Sequence, residues 1–245
     1  MSQLPTVTML EGELISREWE CHGTTWTNNE QFDKDGYVVI ENLWDPKDLY
    51  SELGTDRGLY KWWGDELDQF NQIESVEPQV RGSYSRYNHP QYRRIHSGIR
   101  LKLEEVIGRK LYNTYYYDRF YMAGQELFRH IDRDSCEISV SVHISSNIKE
   151  DWPFWIKTPD VYRDKSKREL LVPGENRSVI LEPGDGIIYK GSERPHWRDR
   201  MPGTLQMALG MTHHNDYTQL YYHQIFFHYV LQDGIRSHFA WDNAS

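Results

Sequence analysis

Between Ile138 and Ser145 the chain alternates strictly. Ile138, Val140, Val142 and Ile144 are apolar, and Ser139, Ser141, His143 and Ser145 between them are polar. Successive side chains of a strand point to opposite faces, so this period of two predicts a strand in a sheet with one buried face. A different period precedes it: Tyr92, Ile95, Ile99, Leu103, Val106 and Ile107 recur at helical spacing, predicting a helix that Gly108 ends. Further upstream, residues 32 to 40 predict a turn feeding a β-branched strand. Asp45 and Pro46 have the character of an N-cap followed by proline at the first helical position, with Gly54 as the stop. The aromatic- and glycine-rich stretch from Gly58 to Tyr87 is predicted to be loop.

After Leu111 the pattern is one of strands. Phe154 to Ile156, Val179 to Leu181, Ile187 to Tyr189 and Gln224 to Leu231 are the further candidates. Glu182-Pro183-Gly184-Asp185-Gly186 forms a tight turn between two of them. Helices first and short strands later predict an α+β chain whose catalytic part is a jelly roll, a double-stranded β-helix with the N-terminal helices packed on it. No internal repeat or low-complexity linker divides the chain. It is expected to be one domain over 1–245, with a mixed layer (1–108), a core (109–232) and a tail (233–245).

Composition narrows the function. A formal net charge of −9 speaks against a surface for the phosphate backbone of nucleic acid. Cys21 and Cys136 are the only cysteines, too few for a disulfide framework. Residues 1–12 lack a basic flank followed by an apolar run, and no stretch approaches a membrane span. Asn176-Arg177-Ser178 matches a glycosylation acceptor, which means little without a secretion signal. The expectation is a soluble cytoplasmic protein with no nucleic-acid or membrane partner.

The candidate chemistry is a metal site. Two imidazoles and one carboxylate on one face of an ion leave the opposite positions open. A His-x-Asp pair supplies two of these ligands from one strand end, and the third must return from a distant strand. The chain holds two such pairs, His130-Ile131-Asp132 and His214-Asn215-Asp216. Only 29 residues follow Asp216, with His238 as the one late partner, whereas His196 lies 66 positions after His130 and the stretch between contains several predicted strands. The first pair with His196 is therefore the expected triad. His143 is the rival third ligand, on the serine-lined face of its strand.

With these residues in hand, the sequence resembles the prolyl 4-hydroxylase-like branch of the Fe(II)- and 2-oxoglutarate-dependent oxygenases. Tyr121-Met122-Ala123-Gly124-Gln125 leading into His130-Ile131-Asp132 is similar to that branch's tyrosine-x-x-glycine strand before its His-x-Asp motif. The 182–186 turn with His196 resembles the hairpin that delivers the distal histidine. Residues 32 to 39 resemble the opening strand of many such enzymes. The resemblance spans about residues 30 to 230. It implies iron ligation by His130, Asp132 and His196, with the Tyr121 hydroxyl reaching the cosubstrate carboxylate. Arg133, directly after the metal aspartate, is either a support for the ligands or a surface ion-pair partner.

The chain departs from the branch where a Lys or Arg on the strand after the distal histidine pairs with the far carboxylate of 2-oxoglutarate. Residues 221–230 contain neither. Arg198 is the nearest substitute, Lys157 and His223 are rivals, and residues 201–218 have the look of an insertion. The resemblance implies Fe(II), O₂ and 2-oxoglutarate, with ascorbate as an accessory, and hydroxylation of a peptidyl or small-molecule substrate with release of succinate and CO₂. A non-catalytic jelly-roll binding module and a cupin-like metalloenzyme without 2-oxoglutarate are the alternatives. Trp62, Trp63, Tyr84 and Tyr87 are candidates either for a substrate entrance or for packing.

Overall fold

A computed structural model describes residues 8–10, 13–15, 25–46, 79–80, 82–164, 169–204 and 220–242. The helix expected from Asp45 to Gly54, Trp62, Trp63, His214 and Asp216 lie wholly or mostly outside them.

Fourteen strands are described: β1 (Thr8–Leu10), β2 (Glu13–Ile15), β3 (Tyr37–Ile40), β4 (Tyr84–Tyr87), β5 (Leu111–Met122), β6 (Leu127–His130), β7 (Ile138–Ser146), β8 (Phe154–Lys157), β9 (Val161–Asp164), β10 (Glu169–Val172), β11 (Asn176–Val179), β12 (Gly186–Tyr189), β13 (His196–Arg198) and β14 (Tyr221–Leu231). Two helices precede the core, α1 (Glu30–Asp35) and α2 (Arg93–Ile107). Six strands form the major sheet in the order β3-β12-β7-β14-β5-β4, and four form the minor sheet, β11-β8-β13-β6. Every pairing in both is antiparallel. The two sheets face each other, with Phe154, Ile156 and Val179 of the minor sheet packed on Ile187 and Tyr189 of the major sheet. This is the double-stranded β-helix.

Helix α2 follows the expected periodicity. Ile95, Ile99, Leu103 and Ile107 are buried, and Gly108 closes the helix in the left-handed conformation, φ 65°, which glycine adopts without strain. That buried stripe lies in one apolar cluster with Ile138, Val140, Val142 and Ile144 of β7 and Ile225, Phe227 and Tyr229 of β14. The apolar set of β7 thus faces the helix.

Three local expectations are corrected. The polar set of β7 is not a solvent face, because Ser139, Ser141 and His143 are also buried, on the side facing the minor sheet. A strand between two layers has no wet face, and small polar residues on its inner side leave room for a site. The turn read from Phe32 before the strand is instead the end of α1 (residues 30–35), capped by the Asn29 side chain accepting from the Phe32 amide at 2.8 Å. Residues 84–87, read as loop, are the edge strand β4, paired with β5.

Candidate metal centre and adjoining pocket

The register of the minor sheet places His196, the first residue of β13, opposite His130, the last of β6. Their rings lie side by side, centroids 4.3 Å apart. Asp132 Oδ1 sits 3.5 Å from Nε2 of each. Both far nitrogens meet backbone carbonyls: His130 Nδ1 is 2.8 Å from Phe128 O, and His196 Nδ1 is 2.9 Å from Arg194 O. A carbonyl only accepts, so each Nδ1 carries the proton and each neutral Nε2 turns its lone pair towards Asp132. Three acceptor atoms within 4.8 Å of one another repel unless a cation lies among them, and two imidazoles with one carboxylate are the donor set of a facial iron site.

Asp132 Oδ2 has its own partners. Ser139 Oγ donates to it at 2.9 Å and lies 3.0 Å from His228 Nδ1. Sequence reasoning missed both residues. The period-two run that put Ser139 on the polar side of β7 was the available signal, and only the second sheet shows what that side faces. A second group that could approach a cation, Asp132, Cys136 and His228, is less suited. Burial pushes the Cys136 thiol upward, so it stays protonated, in contact with the Tyr115 hydroxyl at 3.2 Å.

Beyond His196 on the same strand, Arg198 is 1 % exposed. Its Nη1 donates to Trp152 O at 2.6 Å and its Nη2 to the Tyr222 hydroxyl at 3.3 Å, while Nε has no partner. The guanidinium lies 4.6 Å from the ring centres of both Trp152 and Tyr222. Among the described residues no carboxylate pairs with it. Tyr121, fully buried, packs edge-on against Trp152 and accepts from Arg119 Nη1 at 3.2 Å. Nearby inner-face atoms also lack partners, namely His143 Nε2, Ser145 Oγ and Gln224 Oε1.

The rivals lie elsewhere. Lys157 pairs with Asp160 at 2.5 Å. His223 faces the α2 side of the major sheet, where its Nε2 is 2.9 Å from Asp118 Oδ2. His143 is four residues along β7 from Ser139, roughly 13 Å at strand spacing, stacked on Tyr222 at 4.1 Å. It does not join the triad, and burial lowers it to about 4. Arg133 is exposed, paired with Asp242 at 2.8 Å and lying over the Tyr115 ring, and no contact joins it to a triad residue. The support for Asp132 comes instead from Ser139. His238 is at the surface, 3.1 Å from Ile235 O. Tyr87, half exposed, stacks on Tyr117 at 4.8 Å.

The sequence matches no protein-family profile and no curated protein. Solved structures do match. A prolyl-4-hydroxylase from Pseudomonas putida aligns over 82 % of this chain and 95 % of its own at 12 % identity, TM-score 0.52. The non-haem α-ketoglutarate-dependent epimerase SnoN of nogalamycin biosynthesis aligns over 82 % and 79 % at 11 % identity, TM-score 0.55. HygX of Streptomyces hygroscopicus, solved with nickel and 2-oxoglutarate bound, aligns over 82 % and 85 % at 14 % identity, TM-score 0.51. Identities this low speak to architecture, and the architecture agrees with the sheet order described above. The chain shares its double-stranded β-helix architecture with these three structures.

Proposed function

We propose that this protein is an Fe(II)- and 2-oxoglutarate-dependent oxygenase that hydroxylates a C–H bond, releasing succinate and CO₂. The observation that carries the reading is the convergence of His130 Nε2, Asp132 Oδ1 and His196 Nε2, with both imidazoles fixed by their Nδ1 contacts. When bound, the iron supplies the redox chemistry with O₂ and the 2-oxo acid. The chain's part is to hold three ligands on one side and orient what binds opposite.

Arg198 is the anchor for the far carboxylate of 2-oxoglutarate in this reading. A buried cation without a counter-charge costs several kcal/mol, and a dicarboxylate bound beside it offsets that cost. Tyr222 and Trp152 hold the guanidinium, and the Tyr121 hydroxyl, beside the same Trp152 ring, donates to the same carboxylate. The binding-module alternative drew its support from the uncertain basic anchor, the role this reading gives to the buried Arg198. The prime substrate, peptidyl or small-molecule, meets the site where His130 and Ile131 approach the surface.

The test is turnover and binding together. Purified protein with Fe(II), ascorbate and 2-oxoglutarate in air is expected to form succinate slowly above a metal-free control, and to bind 2-oxoglutarate calorimetrically in a metal-dependent way. Absence of both would return the chain to the binding-module class.

A further inference from the structure

The two oxygens of Asp132 have different surroundings. Oδ1 faces the two Nε2 atoms, and Oδ2 faces a closed corner formed by Ser139, Gly191 and Cys136. We propose that Ser139, Gly191 and His228 form a cradle that holds Oδ2 and leaves only Oδ1 for the metal. This rests on the metal reading above and adds residues to it.

The hydrogen bonds of the cradle run in one direction. Ser139 Oγ has a single proton, and two acceptors lie within reach: Asp132 Oδ2 at 2.9 Å and Cys136 O at 3.3 Å. The shorter, charge-assisted bond to the carboxylate takes it. The hydroxyl then accepts from His228 Nδ1 at 3.0 Å, which places the proton of the neutral imidazole on Nδ1. The chain is His228 to Ser139 to Asp132, with every donor committed. Ser139 and His228 are cross-strand partners in the register of β7 and β14, and both are buried, so neither turns to water.

Gly191 supplies the space. A Cβ there would lie 2.3 Å from Ser139 Oγ, 2.4 Å from Cys136 O and 2.6 Å from Asp132 Oδ2. Its carbonyl also accepts the Asp132 amide at 2.9 Å, fixing the backbone from which the carboxylate projects. The consequence is chemical. A carboxylate free to turn chelates through both oxygens and occupies a coordination position that the 2-oxo acid or O₂ requires. A carboxylate held at Oδ2 would offer the metal Oδ1 alone and leave room for what binds opposite. Ser139, Gly191 and His228 are therefore positioning residues, acting through Asp132.

Cobalt(II) titration of the full chain without cosubstrate tests this, read by visible absorption and by affinity, with circular dichroism as the check on folding. Ser139→Ala and His228→Leu are expected to weaken Co(II) binding about 10–100-fold, the range for residues that orient a ligand, and to change the d–d spectrum. Gly191→Ala is expected to do the same. Ser139→Thr and His228→Asn keep a hydroxyl and an N–H donor and are expected to stay within about threefold of the native affinity. Native affinity and spectrum in folded Ser139→Ala overturn the proposal, and that variant decides the matter if His228→Leu does not fold. Loss of a second bound cobalt in His228→Leu also overturns it, by making His228 a ligand. Failure of the native chain to bind cobalt, or unimpaired binding by His130→Ala, would instead sink the metal reading itself.

Discussion

Arg198 follows His196 by two residues on β13, and both side chains are buried on the face that meets the major sheet. Two residues of strand span about 7 Å, so one short strand holds an imidazole of the triad and a buried guanidinium at a fixed separation. A five-carbon dicarboxylate chelated at one end and ion-paired at the other is a ligand of that dimension. In the proposed oxygenase, the same strand would set both the position of the ion and the reach of the cosubstrate.

His130→Ala, Asp132→Ala and His196→Ala are each expected to lose Fe(II) or Co(II) binding by more than the roughly 100-fold upper range of supporting residues, while keeping the native circular dichroism spectrum. His214→Ala and Asp216→Ala serve as controls and are expected to bind metal normally. Retained affinity in any one triad variant removes that residue from the site.

Arg198→Met is expected to weaken 2-oxoglutarate binding by about 2–5 kcal/mol, measured by calorimetry on the metal-loaded protein. Without ligand, the same variant is expected to be no less stable to heat than the native protein, because it removes a buried cation that no carboxylate offsets. Lys157→Ala is expected to leave the affinity unchanged, its partner being Asp160. A normal affinity in Arg198→Met would remove Arg198 from the proposed cosubstrate site.

Tyr121→Phe is expected to cost about 1.5–3 kcal/mol of 2-oxoglutarate affinity, the worth of a hydrogen bond to a charged group. Since Trp152 touches both Tyr121 and Arg198, the double variant should depart from additivity. Strict additivity in the cycle would show that the two side chains serve different ligands.

Asp118, fully buried, accepts from Arg86 at 2.5 and 3.1 Å and from the Tyr92 hydroxyl at 2.9 Å, and its Oδ2 lies 2.9 Å from His223 Nε2. The group joins β4, β5, β14 and the segment entering α2. Asp118→Asn is expected to destabilise the fold by about 3–5 kcal/mol in urea unfolding, since it removes the charge of the buried Asp118 carboxylate from its ion pair with Arg86. Metal affinity, set on the opposite face of the sheet, is expected to change far less.

Acid sensitivity follows from the buried histidines. Burial lowers His96 to about 3 and His143 to about 4, below the ordinary 6.5. As pH falls through 6.5 the unfolded chain takes up protons that the folded chain refuses, so stability drops from there down to the folded values. Each such group contributes a slope of about 1.4 kcal/mol per pH unit inside its window. His96→Phe, which preserves an aromatic ring against Phe227, is expected to make that slope shallower. An unchanged slope between pH 4.5 and about 6 would assign the acid sensitivity to other groups.

Local sequence was enough for the parts of this protein that are decided within a few residues. The stripe ending at Gly108, the alternation of β7 and the turn before β12 report backbone periodicity and conformational freedom, which neighbours along the chain set by themselves. The candidate triad was legible for a similar reason: a His-x-Asp pair and a returning histidine are tied to strand ends and turns. The pairing of sheets was not written locally. Ser139 and His143 belong to the same polar series, yet one touches Asp132 and the other stacks on Tyr222, because different positions along β14 meet them. Arg198 was the nearest substitute anchor and His223 its rival; the pleat of β14 sends His223 to Asp118 and the β13 register sends Arg198 inward. Which face of a strand is buried, and against what, depends on contacts between residues many positions apart, and only the packed sheets bring those residues together.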